Sequence, residues 1–430
     1  MESRNLSDQN KFQVLESLDL WLQRYMIRKV SGSEDAIQIF FDFTEVQILD
    51  CRDAFLTTQK LLENNHEENE LSYSGKIGFF SYEYLCHLAG FNPTAEKDLE
   101  LPDALWARPQ SIITLESGRC EIETLLAGRL VEVVGFLNSP LGMTISQKVP
   151  DFCSKNKQWK CNIDFDSYKE LFDQAKEQIL DGNTYQIKIS QRYNAPFTLK
   201  PAYHFSKLMQ ANPAPESFVI AWDDFSMVSC SPEMVIDYNA KTQKVSTRPI
   251  GGTLDRAKVN TKNKQELESY FYGNEKEAHE HNMLIDLERN DLSRFCEYGS
   301  VSIDQYRKIE TYAHVYHLVS QITGCLSADK KSVDIVRSML PGGTVTGCPK
   351  MKTLELIDRF EPCFRGPYTG SFGTISDNGS IYLNLIIRTL VAIRGQAYVQ
   401  AGGGIVVDSD AEYEYNENQI KAQALLNLLV

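Results

Sequence analysis

Hydrophobic residues in the first part of the chain recur with two spacings. Phe12, Leu15, Leu18 and Leu22 are three or four positions apart, which predicts an amphipathic helix. The apolar runs that follow are rich in β-branched and aromatic residues, which predicts strands, and one further stretch has helical spacing. The predicted strands are 36–43, 75–83, 111–115 and 130–134, and the predicted second helix is 54–64.

The stretch 137–162 mixes Pro, Ser, Lys and Gly without a clear period. Such a composition between two periodic regions is typical of a linker. We therefore expect two parts, an N-terminal subdomain of a helix and strands over 1–150 and a second region over 160–430.

The periodic signals become stronger from residue 164 onward. A helical stripe runs through Tyr168, Phe172 and Ala175, with Asp164 suited to its start and Gly182 to its end. Later segments predict a helix at 203–210, a helix that bears His317 and a helix after Pro349, and strands at 217–222, 234–238, 370–376, 383–392 and 397–401. Strands outnumber helices and alternate with them irregularly, so the pattern favours an α+β fold with large antiparallel sheets.

Two pairs of glutamates stand out within this pattern. Glu277 and Glu280 are three residues apart, as are Glu414 and Glu417, so each pair shares one helix face. That face continues downstream as an apolar stripe, which places carboxylates at the edge of a buried surface. Carboxylates are costly to bury without a cation, and four of them from two helices suit a hard metal such as Mg²⁺. The alternative is two solvated helix starts, where the helix dipole also favours Glu.

Composition narrows the class of partner. The hydrophobic fraction of 42% is that of a globular protein, and the formal charge of −14 argues against nucleic acid or an anionic membrane as partner. No apolar run approaches the length of a membrane span, and the first residues lack the apolar stretch of a signal peptide. The ten cysteines are scattered without a metal-binding spacing, which is typical of a cytoplasmic protein with reduced thiols.

Several single residues are candidates for chemistry, although each alone is more often structural. Thr344 lies in a glycine-rich turn before a helix, where N–H groups can hold a carboxylate. Glu233 follows a strand in S-P-E, Arg388 lies in an apolar segment, and His317 follows a stretch with helical spacing. Buried acids and cations in one chain point to a shared anionic ligand together with a metal.

These segments together resemble a known family, the chorismate-utilising enzymes. The matching motifs are S-P-E, P-I-G-G-T, K-E-A-H-E-H-N-M-L-I-D-L-E-R-N-D-L, Y-H-L-V-S, P-G-G-T-V-T-G-C-P-K, G-P-Y-T-G, I-I-R-T, A-G-G-G-I-V-V-D-S and E-Y-N-E. They run from about residue 164 to the C-terminus, whereas the first 150 residues match chiefly through G-K-I-G-F-F-S-Y-E. The resemblance implies a sandwich-like core of large antiparallel sheets with helices packed outside, and a chorismate-binding catalytic region over 160–430.

The resemblance also implies roles for individual residues. It implies Mg²⁺ held by Glu280 and Glu417, with Glu277 and Glu414 in support. Glu233 is the implied general acid at the departing 4-hydroxyl, because hydroxide leaves readily only when protonated. The other implied catalytic residues are His317, which faces the ring, and Thr253, and the implied substrate-binding residues are Gly252, Thr344, Tyr368, Arg388, Gly402 and Lys421.

The nucleophile is expected to be ammonia. Water-using members of the family carry a lysine base on the strand that reads Y-Q-I-K-I-S-Q-R here, and the matching position is Ile187. Lys188 is one residue further, and we expect it to face away from the pocket because side chains alternate along a strand. The chain shows no segment that resembles a glutaminase, so ammonia is expected from a separate glutamine amidotransferase subunit.

Details favour aminodeoxychorismate synthase component I of the para-aminobenzoate and folate pathway. They are Leu254 and Arg256 after P-I-G-G-T, the turn T-V-T-G, and the lack of a placeable tryptophan-binding segment. Some of these enzymes carry a lysine in P-I-x-G-T that attacks the substrate, but here the position is Gly251, so we expect no covalent adduct and a space open to ammonia. Tyr382 and Asn384 also depart from the family, which has smaller or acidic residues there.

Other functions stay open at this point. Anthranilate synthase component I of the tryptophan pathway is the main alternative, because a 2-amino product needs no lysine in the turn. Isochorismate or salicylate synthase activity and a chorismate-binding protein without turnover are further alternatives.

Overall fold

The fold was analysed in a computed structural model of the chain. It describes residues 2–7, 10–33, 35–63, 68–116, 118–139, 159–256, 264–273, 275–312 and 315–427. The helices within these residues are α1 (Lys11–Trp21), α2 (Ala54–Glu63), α3 (Tyr82–Ala89), α4 (Arg129–Leu137), α5 (Phe165–Leu180), α6 (Pro201–Ala211), α7 (Lys264–Gly273), α8 (Glu275–Ser293), α9 (Ser332–Met339), α10 (Gly343–Thr346), α11 (Lys350–Phe360) and α12 (Ala411–Leu426).

The strands join into one 20-stranded sheet. They are β1 (Glu2–Ser7), β2 (Tyr25–Lys29), β3 (Ile37–Leu49), β4 (Gly75–Phe80), β5 (Ala104–Glu116), β6 (Arg119–Thr124), β7 (Lys160–Cys161), β8 (Gln186–Pro196), β9 (Glu216–Trp222), β10 (Phe225–Ser231), β11 (Met234–Asn239), β12 (Lys244–Thr247), β13 (Ile250–Asp255), β14 (Ser302–Thr311), β15 (Val315–Cys325), β16 (Gly347–Cys348), β17 (Ser371–Ser376), β18 (Ile381–Leu385), β19 (Thr389–Ile393) and β20 (Gln396–Ile405). Every pairing between these strands is antiparallel. The α+β class with large antiparallel sheets is confirmed.

Strands from the two ends of the chain are neighbours in this sheet. β2 pairs with β9, β4 pairs with β17, and β8 pairs with β20. The division at about residue 150 stays a prediction, and most of the predicted linker, 140–158, lies outside the described residues.

Three local predictions are wrong. Residues 130–134 lie in helix α4 rather than in a strand, because Val133, Val134 and Leu137 share one buried helical face despite the β-branched side chains. His317 lies on strand β15, whose residues are mostly buried on both faces, so no alternation marked it as a strand. Arg388 lies between β18 and β19 with φ of +49°, not within a strand.

The two carboxylate helices are held by the apolar stripes that the sequence indicated. On α8, Leu284 and Leu287 are buried, and the helix packs on β13 and β15. On α12, Leu425 is buried, and this helix packs on β20 and α5. The sequence N-E-K-E fits a capping box and predicts that α8 starts at Asn274, but this residue lies outside the described residues. Both helices therefore have their N-terminal turns at the sheet surface.

A search of the described helices finds none with the length and apolar character that crossing a membrane requires.

Candidate active site

Glu233 lies in the short connection between β10 and β11 and is only 7% exposed. The Thr344 hydroxyl donates a hydrogen bond of 2.8 Å to its Oε1 atom. Burial raises the pKa of Glu233 to about 7, although the Thr344 hydrogen bond and the charges of Lys188 and Arg388 lower it. A carboxyl group with this pKa is partly protonated at neutral pH and can donate a proton.

Thr344 is positioned by a close contact between two elements. It belongs to the single helical turn α10, which lies against α8. A Cβ atom at Gly343 would lie 2.2 Å from Leu287 Cδ2, so the buried Leu287 side chain would have to shift if residue 343 had a side chain. The glycine-rich turn thus brings the Thr344 hydroxyl to Glu233 while the apolar stripe of α8 packs behind it.

Arg388 is close enough to both Glu233 and His317 for its charge to lower the pKa of each. His317 is 1% exposed, its Nδ1 atom lies 3.4 Å from the Gly252 carbonyl oxygen, and burial together with the Arg388 charge lowers its pKa to about 4. His317 is therefore a neutral imidazole at physiological pH. Arg388 adopts a left-handed conformation that is uncommon for residues other than glycine, and such strain is frequent at functional sites.

Thr253 pairs with His317 across β13 and β15, and Gly252 beside it has φ of +59°. The pairing register shifts between residues 251 and 253, which marks a β-bulge. The backbone of this predicted pocket segment therefore reaches His317, whereas the side chain of Thr253 lies outside the described part of the structure.

The first turns of α12 bring carboxylates to the glycines of β20. A Cβ atom at Gly403 would lie 2.9 Å from Glu414 Oε2, 2.9 Å from Asn418 Oδ1 and 3.4 Å from Glu417 Oε2, so three oxygens converge on this backbone. Glu414 is buried and receives a 2.9 Å hydrogen bond from the Ser409 hydroxyl; burial and the charge of Glu417 raise its pKa.

Lys421 connects the same helix to the strand. Its Nζ atom lies 2.8 Å from Glu417 Oε2 and 3.4 Å from the Gly402 carbonyl oxygen. Tyr368 approaches from another direction, because a Cβ atom at Gly402 would lie 2.9 Å from its hydroxyl oxygen. The structure thus brings Gly402, Lys421 and Tyr368 together, as the sequence predicted.

The donors predicted for a metal fit Mg²⁺ in their chemistry, because the three atoms that would lie nearest to a Cβ atom at Gly403 are all oxygens. Glu280 on α8 and Glu417 on α12 both act electrostatically on the ammonium group of Lys188, so the two helices contribute to one site. Among the described residues, no group of three or more His, Cys, Asp or Glu side chains is arranged to hold a metal ion. The side chain of Glu277 lies outside the described part of the structure.

Lys188 lies in the site, so the prediction that it faces away is wrong. Ile187 and Ile189 on either side of it are fully buried in an apolar cluster, which directs Lys188 to the opposite face of β8. On that face its ammonium group interacts electrostatically with Lys421, Glu417, Glu233 and Glu280. A Cβ atom at Gly404 would lie 3.2 Å from the Nζ atom of Lys188. Burial and the charge of Lys421 lower the pKa of Lys188. Side chains do alternate along β8, but the pocket lies on the face of Lys188 and not on the face of Ile187.

The space beside Gly251 is not open, in contrast to the prediction. A Cβ atom at this position would lie 2.2 Å from Nδ1 of His281, a residue of α8 that is fully buried. His281 was not among the predicted residues, although it lies three positions before the buried Leu284 and therefore shares the helix face that packs on the sheet.

A buried ion pair between Arg365 and Glu361 connects several segments of the site. Arg365 binds Glu361 through two hydrogen bonds of 2.7 and 2.8 Å and donates to the carbonyl oxygens of Lys188 (2.9 Å) and Val345 (3.0 Å). Its guanidinium group also lies 5.6 Å from the ring centroid of Tyr368. The segments that carry Lys188, Thr344 and Tyr368 therefore share one cation.

The unusual residues Tyr382 and Asn384 have a physical explanation outside the site. The Tyr382 hydroxyl donates to Glu216 Oε1 at 2.7 Å, and Asn384 Nδ2 donates to the Glu216 carbonyl oxygen at 3.1 Å. Both side chains therefore hold a second buried acid at the start of β9.

Comparisons with known proteins agree with this geometry. A family model described as chorismate binding enzyme matches residues 12–427. Aminodeoxychorismate synthase component 1 of Bacillus subtilis is 34% identical over 375 residues, covering 85% of this chain and 79% of that protein. Anthranilate synthase component 1 1 of Haloarcula marismortui is 34% identical over 370 residues, covering 82% and 75%.

Solved structures share the fold along the whole chain. Anthranilate synthase component I of Streptococcus pneumoniae superposes with a TM-score of 0.75 at 26% identity, covering 98% of this chain and 92% of that one. The menaquinone-specific isochorismate synthase of Escherichia coli reaches a TM-score of 0.74 at 16% identity, covering 100% and 95%.

Proposed function

Because this chain belongs to the family of chorismate-binding enzymes, we propose that it aminates chorismate to aminodeoxychorismate. In this proposal the ammonia comes from a separate glutaminase subunit, and the reaction depends on Mg²⁺. The relatives named component 1 are the reason to expect a second component.

The observation that carries the proposal is the environment of Glu233. Its carboxyl group has a pKa of about 7, accepts a hydrogen bond from Thr344, and lies near the cations Arg388 and Lys188. A protonated Glu233 can transfer its proton to the 4-oxygen of the substrate as the carbon–oxygen bond breaks, so that water leaves. The nearby cations offset the negative charge that then remains on Glu233.

Lys188 completes the proton balance in this scheme. Ammonia that adds at the 2-position becomes a substituted ammonium group and must lose a proton. Burial lowers the pKa of Lys188, which increases the fraction of neutral amine that can accept this proton. A second exchange, in which ammonia adds at position 4 and the 2-amino group leaves as ammonia, gives the 4-amino product.

The substrate carboxylates are assigned to the groups around β20. Arg388, Lys421 and the Tyr368 hydroxyl supply the donors, and Gly402 lets the backbone approach because it has no side chain. Glu280 and Glu417, supported by Glu414 and Glu277, would hold Mg²⁺, which would polarise the ring carboxylate.

Anthranilate synthesis is the second candidate, and Gly251 favours it. Without a nucleophile in that turn, the 2-amino compound is the first product, and its elimination would end the reaction there. Isochorismate formation is a further outcome to be tested. It needs a base that activates water, and Lys188 lies in the site, where it can supply one.

Product analysis separates these outcomes. We expect the protein, supplied with chorismate, Mg²⁺ and ammonium, to form aminodeoxychorismate, identified by chromatography and mass spectrometry with and without a lyase that consumes it. Anthranilate alone would move the protein to the second candidate, and isochorismate would replace ammonia by water. Absence of any turnover would contradict the proposal as a whole.

The metal assignment is tested with the same assay. Excess chelator should abolish turnover, and so should Glu280→Gln or Glu417→Gln, while the thermal unfolding midpoint stays near that of the unaltered protein. Undiminished turnover in chelator would contradict the assignment.

A further inference from the structure

Two buried histidines hold the bulged segment of β13 between them. His317 on β15 contacts the Gly252 carbonyl oxygen through Nδ1 at 3.4 Å. His281 on α8 stands against the neighbouring residue, where a Cβ atom on Gly251 would lie 2.2 Å from Nδ1, 2.9 Å from Cγ and 3.1 Å from Cβ of the ring. The imidazole of His281 therefore occupies the volume that a side chain at position 251 would need.

The His281 ring cannot easily move aside. It is fully buried, and its Nε2 atom lies 2.7 Å from the Ser320 hydroxyl oxygen on β15. That oxygen also accepts a 2.9 Å hydrogen bond from the backbone N–H of Arg307, so β14, β15 and α8 meet at this serine. In contrast, Nδ1 of His281 is buried, has no hydrogen-bond partner among the described residues, and faces Gly251.

Backbone conformation does not explain the glycine at 251. Gly252 has φ of +59°, which favours glycine, whereas φ of Gly251 lies outside the left-handed range. The contact with His281 is thus the reason that the structure gives for a residue without a side chain at this position.

We propose that His281 is a positioning and specificity-determining residue, which fixes the bulge at Gly251 and Gly252 and excludes any side chain at position 251. The inference rests on the proposed function, because it places the bulge at the substrate. A lysine at 251 is excluded while His281 is present, so no amine from this turn takes part in the reaction. In this proposal, residues 251 and 281 together determine which product forms, rather than residue 251 alone.

A double-mutant cycle tests the pair. Gly251→Ala should lower kcat/KM for chorismate by about 10²-fold, the loss expected when a pocket segment is displaced by about 1 Å. The double variant, Gly251→Ala with His281→Ala, should have a kcat/KM at least about tenfold higher than that of Gly251→Ala alone, because the added methyl group then has space. Gly273→Ala in α7 is the matched control, since a Cβ atom there meets nothing within 4 Å and turnover should not change.

The same variants are also compared by thermal unfolding, which is a measurement that does not require chorismate. The unfolding midpoint of the double variant should exceed the value expected from adding the two single effects. Additive effects in both assays, or a Gly251→Ala variant as active as the unaltered protein, would overturn the proposal. If no variant turns over chorismate but the unfolding effects are non-additive, the proposed function fails and the pairing of His281 with Gly251 stands as a contact only.

A readout specific to positioning is the KM for chorismate. Gly251→Ala should raise KM together with its loss in kcat, and the double variant should restore both. Gly251→Lys should behave as Gly251→Ala does and improve when His281→Ala is added. An active Gly251→Lys variant with His281 intact would show that the ring does not exclude a lysine.

Discussion

Glu233 and Glu216 are two buried acids with the same exposure and the same pKa but different surroundings. Each is 7% exposed, and burial raises the pKa of each to about 7. The carboxyl group of Glu216 accepts a hydrogen bond from Tyr382, its backbone carbonyl accepts one from Asn384, and the charges of Arg248, Lys29 and Arg28 lower its pKa. Glu233 also accepts one side-chain hydrogen bond, from Thr344, but its neighbours Thr344, Lys188 and Arg388 converge from three separate segments, which are α10, β8 and the connection between β18 and β19.

The comparison shows that a raised pKa does not by itself identify a catalytic acid. Burial is the largest cause in both cases, so the shift reports desolvation rather than function. Glu233 differs from Glu216 in its neighbours, which include Arg388 with its left-handed backbone and Lys188 with its lowered pKa. Glu216 is surrounded by groups that serve to hold the start of β9.

The largest expected difference is in turnover. Glu233→Gln should lower kcat by about 10²-fold or more with little change in KM, because it removes the transferable proton and keeps the shape. The matched variant Glu216→Gln should keep kcat within about threefold. Steady-state kinetics at pH 6 checks both, and an equal loss in the two variants would erase the distinction.

The lysines near the two acids give the next test. Lys188→Met should lower kcat by about tenfold to 10²-fold, since it removes the proposed proton acceptor for the added nitrogen. Lys29→Met removes the corresponding charge near Glu216 and should leave kcat nearly unchanged. Intact-mass analysis during turnover should show no covalent adduct on Lys188, and an adduct would give this residue a nucleophilic role instead.

The pH profile gives a smaller effect with a defined direction. Turnover should fall as pH rises through about 7, because Glu233 must be protonated to act. Thr344→Val removes a hydrogen bond that lowers the pKa of Glu233, so the falling limb should move to higher pH. Tyr382→Phe removes the analogous hydrogen bond at Glu216 and should leave the limb in place. A limb that moves only with Tyr382→Phe would reverse the roles of the two acids.

The smallest effect on turnover, and the clearest one on stability, is expected at Glu216. Its folded-state pKa is raised above the unfolded value, so its contribution to the free energy of unfolding is complete below about pH 4.5 and is lost as pH rises through about 7. The loss amounts to at most about 3 kcal/mol. Glu216→Gln, which resembles the protonated acid, should flatten this part of the stability curve. Chemical denaturation at pH 5 and pH 8 measures it, and an unchanged slope would contradict the assignment.

Sequence patterns predicted most of the fold because burial imposes a period. The stripe through Leu284 and Leu287 correctly indicated α8, and the stripe that includes Leu425 correctly indicated α12. The pattern failed for β15, which carries His317, because a strand buried on both faces has no alternation. The prediction for Arg388 failed because residues 386–388, of which Arg388 has a left-handed backbone, separate two short strands, and composition does not encode this break.

The roles of the candidate site residues stay predictions, and the contacts among these residues could not be predicted from the sequence. The approach of Thr344 to Glu233 depends on α10 packing against α8, and the position of Lys188 depends on which face of β8 the core covers. Neither is a local property of the chain. The contact of His281 with Gly251 joins residues 30 positions apart, and only the packing of α8 on β13 reveals it.

The pairing of early strands with late ones has a consequence for synthesis of the protein. β4 finds its partner β17 only when the ribosome has released residues 371–376, and β8 finds β20 only after residues 396–405. Until then the apolar faces of the early strands have no native cover, and their free edges can pair with other chains. Long-range pairing of this kind also makes folding slow. The nascent chain is thus expected to depend on chaperones for most of its translation, and a stop codon before residue 396 should yield aggregate rather than a smaller folded protein.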